Sequence, residues 1–456
     1  MSALQQYIDL YNEHRADLNG HAPAVLNALR PDALAALQGV QLPKRGAEDY
    51  EATDLEAIFA PDYGVNLNRV AFAADQAGTF RCDVPNLSTC LYFFNNDIFM
   101  PGRTARMNPN NPVVVESFAE AQERHPQLLK QYLGTLADLG KPEVALNTLL
   151  AQDGLFIYIP RGVTAEKTIQ VVNIFNASQP LMAMRRVLIV ADENAHVRVL
   201  ACDHTQNSDV SYLNSQVVEI VAKRGATVDY YDLEESTTHT SRVSSIFVDQ
   251  AEGSNVLVDG ITLLNGTTRN DYYVQVNGEH AETHLLGMTI ASGTQHVDNH
   301  TFISHNAPRC KSNEMFKYVI NDMAIGAFAG KILVKPDCPR VEAYQGNRNI
   351  CASPTAKMYT KPQLEIYTDD VKCSHGAAVG QLDEEALFYM RTRGISEAEA
   401  RHLLMQAFVS DVIDGVRLEA LKDRLYHLTE KRFSGTLSLC NVCAAGADCS
   451  KLDKLK

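Results

Sequence analysis

The 456-residue chain has no tryptophan, and no run of about eighteen apolar residues occurs anywhere in it. The second absence argues against a helical membrane span. Basic clustering is missing as well: the formal net charge is −14, and Lys and Arg are scattered, with pairs such as Arg185–Arg186 but no stripe. Binding to a phosphate backbone needs such a stripe, so nucleic acid is not expected as a partner. No G-x-x-x-x-G-K-[ST] loop is present, so the chain does not look like a P-loop ATPase. Neither a G-x-S-x-G elbow nor an H-E-x-x-H helix occurs, which removes two common hydrolase designs. The beginning, MSALQQYIDLYNEHRADL, is polar and acidic rather than basic and then apolar, so no secretory signal is expected there. Ten cysteines spread over so long a chain read as free thiols in a reducing cytoplasm rather than as a disulfide framework.

What is present is a composition able to bury a substantial core, 45% apolar and 21% charged. Its texture changes along the chain. Over 1–150, segments such as LQQYIDLYNEHRADL and ESFAEAQERHPQLLKQYLGTL place apolar residues at three- and four-residue intervals and predict helices. Over 151–375 the pattern becomes short β-branched runs, among them TIQVVNIF, RRVLIVAD, QVVEIVAK and DYYVQV, separated by Gly, Asn and Asp. So many strands in one block predict a mainly β fold. A stacked solenoid with coils of roughly 20 residues is favoured over a large sandwich. From 376 to 435 helices return: Asp383 can cap DEEALFYMRTR, Gly394 can stop it, and Ser396 with Glu399 can open the next helix. In that helix Leu404, Phe408, Val412 and Val416 recur every four residues, flanked by Leu403, and must bury a face either internally or in a partner. Residues 436–456 form a cysteine-bearing tail.

Three groups could carry chemistry. Cys373 and His375 are two residues apart on an extended segment leading to a Gly-bearing turn, so thiol and imidazole share one face and could meet an iron or a cluster edge. An isolated C-x-H is, however, more often a buried Cys and a hydrogen-bonded His. The histidines His280, His284, His296, His300 and His305, with Asp298 between two of them, offer enough donors for a metal. They fit a polar ladder between neighbouring coils better, because no fourth ligand is evident. Cys440, Cys443 and Cys449 have thiolate spacing suited to zinc or a cluster, against the alternative of an oxidisable tail. Asp369–Asp370 and Glu384–Glu385 are adjacent pairs and make no persuasive acid–base dyad.

The stretch YQGNRNICASPTAKMYTKPQLEIYTDDVKCSHGAAVGQLDEEALFYMRTRGISEAEARHLLMQAF, with the preceding QHVDNHTFISHNAPRCKSNEMFKYVINDMAIGAFAGKILV, resembles the SufB/SufD family of iron–sulfur cluster assembly scaffolds. The resemblance runs from about residue 147 to 432, and CSHG after DDVK is the SufD-like form; the Glu-His segment of SufB-type members is absent. EDYEATDLEAIF is similar to a family segment near the N-terminus but lacks its usual Trp. The resemblance implies a right-handed parallel β-helix between two helical domains, pairing with SufB, docking of the SufC ATPase on the C-terminal helices, and a transient cluster as cargo. It assigns cluster formation to His375 with Cys373 beside it, and SufC contact to Leu403, Leu404, Phe408 and Val412. Other readings are a SufB-like primary scaffold working as a homodimer and, remotely, a secreted β-helix enzyme acting on polysaccharide.

Overall fold

The computed structural model describes residues 2–71, 89–100 and 112–435. Its centre is a parallel β-solenoid. Strands of the 155–380 block alternate between two sheets. One runs from Leu155–Ile159 to Lys357–Ile366, and the other from Thr168–Phe175 to Val371–Gly380. Each strand pairs in parallel with the strand one coil later, and the offset ranges from 26 residues (Ser241 to Thr267) to 32 (Ile325 to Lys357). The coils are therefore longer than the expected 20 or so, because each consists of two long strands and two turns.

Alternation along the strands separates two cores. In Asn255–Leu264, Val256 and Val258 point into the solenoid interior, while Leu257, Ile261 and Leu263 point out toward the C-terminal helices. With both faces covered, the strands read as near-continuous apolar runs. One row of corners repeats a left-handed residue every coil: Gly162, Asn194, Gly225, Gly253, His280, Arg309 and Arg340. The N–H groups of Gly162, Asn194, Gly225 and Gly253 each donate to a carbonyl of the next corner at 2.8–2.9 Å, so the turns are stitched as well as the sheets. His280 is thus a corner residue.

Helices clad opposite sheets. At the N-terminus, Leu4, Tyr7, Tyr11, Leu55 and Phe59 pack on Met182, Met184, Leu213 and Val243. The 1–150 region is less purely helical than its periodicity predicts. Thr89–Asn95 pairs in parallel with Thr168–Phe175, and Val114–Ser117 pairs antiparallel with Leu155–Ile159, so this region extends both sheets.

At the C-terminus, Glu384–Thr392 begins at Asp383, whose side chain accepts from the Glu385 and Ala386 N–H groups. Gly394 adopts φ +90° after it, as expected. The long helix Glu397–Gly415 opens on Ser396, which accepts from Glu399 N–H, and Glu419–Phe433 follows. Val409, Val412, Ile413, Leu421, Leu425 and Leu428 pack on Leu200, Tyr231, Leu257 and Leu286. Polar latches reinforce this seat: Arg417 Nη1 to Asp229 at 2.8 Å, Arg424 Nη2 to Glu235 at 2.8 Å, and Arg432 Nη2 to Ser292 at 2.8 Å. No helix among the described residues is long and apolar enough to cross a membrane.

Candidate functional site

The solenoid is open at one end. Lys357–Ile366 and Val371–Gly380 are the outermost strands of their sheets, and among the described strands each pairs along one edge only. Tyr344, Tyr359, Ile366, Tyr367 and Val379 are exposed there. A row of free N–H and C=O groups beside exposed aromatic and aliphatic side chains is a template for a further strand.

Cys373 and His375 lie on this last strand. The expected Gly-bearing turn is not found at this point: Gly376 continues the strand to Gly380, and the chain turns only before Asp383. Val371 and Cys373 pack against the interior cluster, so by alternation the row Val371–Cys373–His375 projects along the mouth of the solenoid. Cys373 is half-buried and burial pushes its thiol up, whereas His375 is exposed. The pair does share a face, as the i, i+2 spacing requires, and sits where a partner or an iron has access.

Beneath it are polar groups that sequence reasoning did not single out. In the register of the sheet, Glu314, Gln345 and His375 occupy one inward row, one coil apart. Glu314 is buried, accepts from Thr301 Oγ1 at 2.5 Å and from Gln345 Nε2 at 2.9 Å, and is pushed up to about 7 by burial. No motif marks these residues; only the register brings them into line.

Of the histidine group only His300 faces a neighbouring coil, whereas His284 and His305 find partners within their own coil and His296 reaches the N-terminal region. Thr53 Oγ1 lies 3.2 Å from His296 Nε2 and donates to Asp298 Oδ2 at 2.5 Å, and Arg269 Nη1 reaches the same carboxylate at 2.8 Å. His300 stands between Asp49 (Nε2 to Oδ1, 3.5 Å) and Asp271 (Nδ1 to Oδ1, 3.6 Å). Hydrogen bonding to His300 holds the Asp49 carboxyl down at about 2. His284 pairs with Glu282, and His305 lies inside the solenoid against Ser312, where burial lowers it to about 4. No group of three or more His, Cys, Asp or Glu among the described residues is arranged to hold a metal ion. Cys440, Cys443 and Cys449 lie outside the described residues.

The four residues assigned to SufC contact are split by the structure. Leu403 is 43% exposed, Leu404 and Phe408 are half-buried, and Val412 is buried against the solenoid. The exposed apolar surface of the C-terminal helices is instead Leu403 together with Phe388 and Tyr389.

The fold is an open-ended solenoid clad by two helical units, with a thiol and an imidazole on its last strand. Comparison with known proteins gives the family. Residues 173–408, just over half of the chain, match the model of the SUF system FeS cluster assembly SufBD core domain, and residues 1–171 match the SufBD protein N-terminal region. The chain belongs to the SufBD family of SUF-system iron–sulfur cluster assembly proteins. A SufBD family protein of Synechocystis is 27% identical over 91% of this chain and 92% of its own length. The iron–sulfur cluster assembly protein SufD of Escherichia coli is 32% identical over 41% of this chain and 44% of its own. A chloroplastic protein of Arabidopsis thaliana is 26% identical over 65% of this chain and 64% of its own.

Proposed function

We propose that the chain is a SufD-like scaffold subunit with no reaction of its own, working in the cytoplasm. Its open end pairs with a SufB-type partner. Its C-terminal helices dock a SufC-type ATPase, and His375 with Cys373 offers ligands to a transient iron–sulfur cluster built at the shared interface. The observation that supports this most is the position of Cys373 and His375 on a terminal strand that, among the described strands, is paired along one edge only, so that whatever completes the sheet also closes over them. The polar latches of the C-terminal helices supply the mechanical half. A pull on those helices, driven by nucleotide binding in the ATPase, acts through Arg417 and Arg424 on Thr227–Glu235 in the middle of the solenoid and through Arg432 on the turn after Glu282–Ala291, and the stacked coils carry it on toward the mouth.

Iron and sulfide are substrates in this reading. An imidazole nitrogen and a thiolate are both accepted by cluster iron, and on binding iron the Cys373 thiol, raised by burial, releases its proton to water as the thiolate takes the metal. The test is co-expression with SufB- and SufC-type partners, followed by pull-down, iron analysis and visible absorbance of wild type and His375→Ala. A complex that assembles normally but loses cluster supports the reading; undiminished cluster removes the ligand role. A chain that dimerises alone and builds a full cluster without a SufB-type partner would instead be a primary scaffold.

A further inference from the structure

The side-chain carbonyl of Gln345 has no explanation within its own surroundings. Gln345 is buried, and its Nε2 donates to Glu314 Oε2 at 2.9 Å, yet its Oε1 is buried with no hydrogen-bond partner. Thr301 Oγ1 fills the other Glu314 oxygen at 2.5 Å. With both carboxylate oxygens accepting, the amide is held NH2-inward and its oxygen is turned away from Glu314. Room for this arrangement exists because residue 330 has no side chain. A Cβ at Gly330 would fall 2.5 Å from Gln345 Nε2 and 2.8 Å from Thr301 Oγ1. Gly330 has no positive φ, so glycine serves there for space rather than for backbone conformation.

In the direction of the open end, the residue in register with Gln345 is His375. Parallel neighbours stand about 4.8 Å apart with side chains stacked in rows; the two side chains do not hydrogen-bond in this structure, and a rotation of the exposed His375 side chain would bring a ring N–H to the orphan carbonyl. A buried acceptor without a donor is unfavourable, and an imidazole that binds metal through one nitrogen commonly donates its other N–H to a carbonyl or carboxylate.

We propose that Glu314 and Gln345 are positioning residues for His375. Gln345 Oε1 accepts the N–H of one ring nitrogen and thereby fixes the tautomer, leaving the lone pair of the other nitrogen facing the mouth of the solenoid. Thr301 and Glu314 hold the amide in the orientation that does this. The inference rests on the reading of His375 as a cluster ligand for its purpose, but not for its test, which needs no iron.

The full-length chain is labelled with ¹⁵N-histidine, and long-range ¹H–¹⁵N correlations report the tautomer of His375, assigned by its disappearance in His375→Ala. One hydrogen bond of ordinary strength biases the tautomer ratio about tenfold, and the wild type is expected to show that bias. Gln345→Met is isosteric without the carbonyl, and Gly330→Ala keeps every polar group but occupies the place of the amide. Both are expected to return the ratio to that of a solvated imidazole. The swap Glu314→Gln with Gln345→Glu keeps a donor below and an acceptor above, and is expected to restore the bias. An unbiased wild type, or a bias unchanged in both Gln345→Met and Gly330→Ala, overturns the proposal. Normal cluster yield in His375→Ala, alongside a biased tautomer released by Gln345→Met, would remove the ligand reading and leave the positioning intact.

Discussion

The ammonium of Lys317, buried on the outer face of the solenoid, lies 2.5 Å from Asp411 Oδ2 and 2.7 Å from the Phe408 carbonyl, with the Phe408 ring 4.9 Å away. This contact joins the long C-terminal helix to the third strand from the open end of its sheet. Asp411 is itself well exposed, so screening discounts the pair below the value of a fully buried one. Asp411→Ala leaves the lysine with a carbonyl alone. It is expected to destabilise the chain by about 1–3 kcal/mol, with hydrogen exchange rising in Glu397–Gly415 first. Lys317→Met on the same background should recover most of the loss, because an apolar side chain needs no partner there. Urea unfolding of the three chains decides between these outcomes.

Asp259 tests the same seam by pH. It faces outward between Leu257 and Ile261, is fully buried, has no hydrogen bond to either carboxyl oxygen, and burial pushes it up to about 8. In the unfolded chain it titrates near 3.9. As pH rises from about 4 to about 8, the unfolded state releases this proton while the folded state keeps it. The group therefore contributes a loss of stability across that window and a constant penalty above it. Asp259→Asn should be more stable than wild type at pH 8 by a few kcal/mol and should differ little at pH 4. Thermal melts at both ends of the window read this; equal differences at the two pH values would show a titrating group elsewhere.

The proposed docking of a SufC-type ATPase is expected to depend on the exposed helical surface. Leu403→Asp and Phe388→Asp are expected to weaken capture of a SufC-type partner tenfold or more without shifting the melting temperature. Val412→Asp buries a charge against Leu257 and Leu286 and should unfold the helical unit instead. Pull-down and melting, measured together, separate contact from core.

Cys373 should alkylate slowly at neutral pH, because burial raises its thiol above the ordinary value and the thiolate is the reactive form. Peptide-level mass spectrometry after iodoacetamide should show its modification climbing as pH rises past 9. Adding a partner that completes the sheet should suppress it at every pH.

Much of the architecture was legible because solenoid physics leaves a strong residue signature. Strands buried on both faces are dominated by apolar residues, as QVVEIVAK and RRVLIVAD are, and the charges they carry inside are paired, Arg186 with Glu219. Coil length was not legible, since sequence marks where strands end but not which strand each will lie beside. The aromatic strand Thr89–Asn95 hid within a region of helical texture, because its β character comes from pairing with Thr168–Phe175. The long C-terminal helix was read with its apolar face rotated: Val409 and Ile413, not Leu404 and Phe408, sit deepest. Of the site, the i, i+2 pairing of Cys373 and His375 was visible as local geometry. Gln345 and Glu314 were not, as they reach that site only through register across coils some 30 residues apart.

The stitched row of left-handed corners makes the solenoid a ruler. Each coil adds one strand to each sheet whatever the length of its turns, so the distance from the N-terminal cladding to the mouth is quantised in steps of about 4.8 Å. A point substitution cannot change that distance, but removing one whole coil would shorten it by one step and leave both ends chemically intact. Any partner that grips the chain at two places therefore senses its coil number, and relatives differing by one coil would be mutually incompatible at full occupancy while folding equally well.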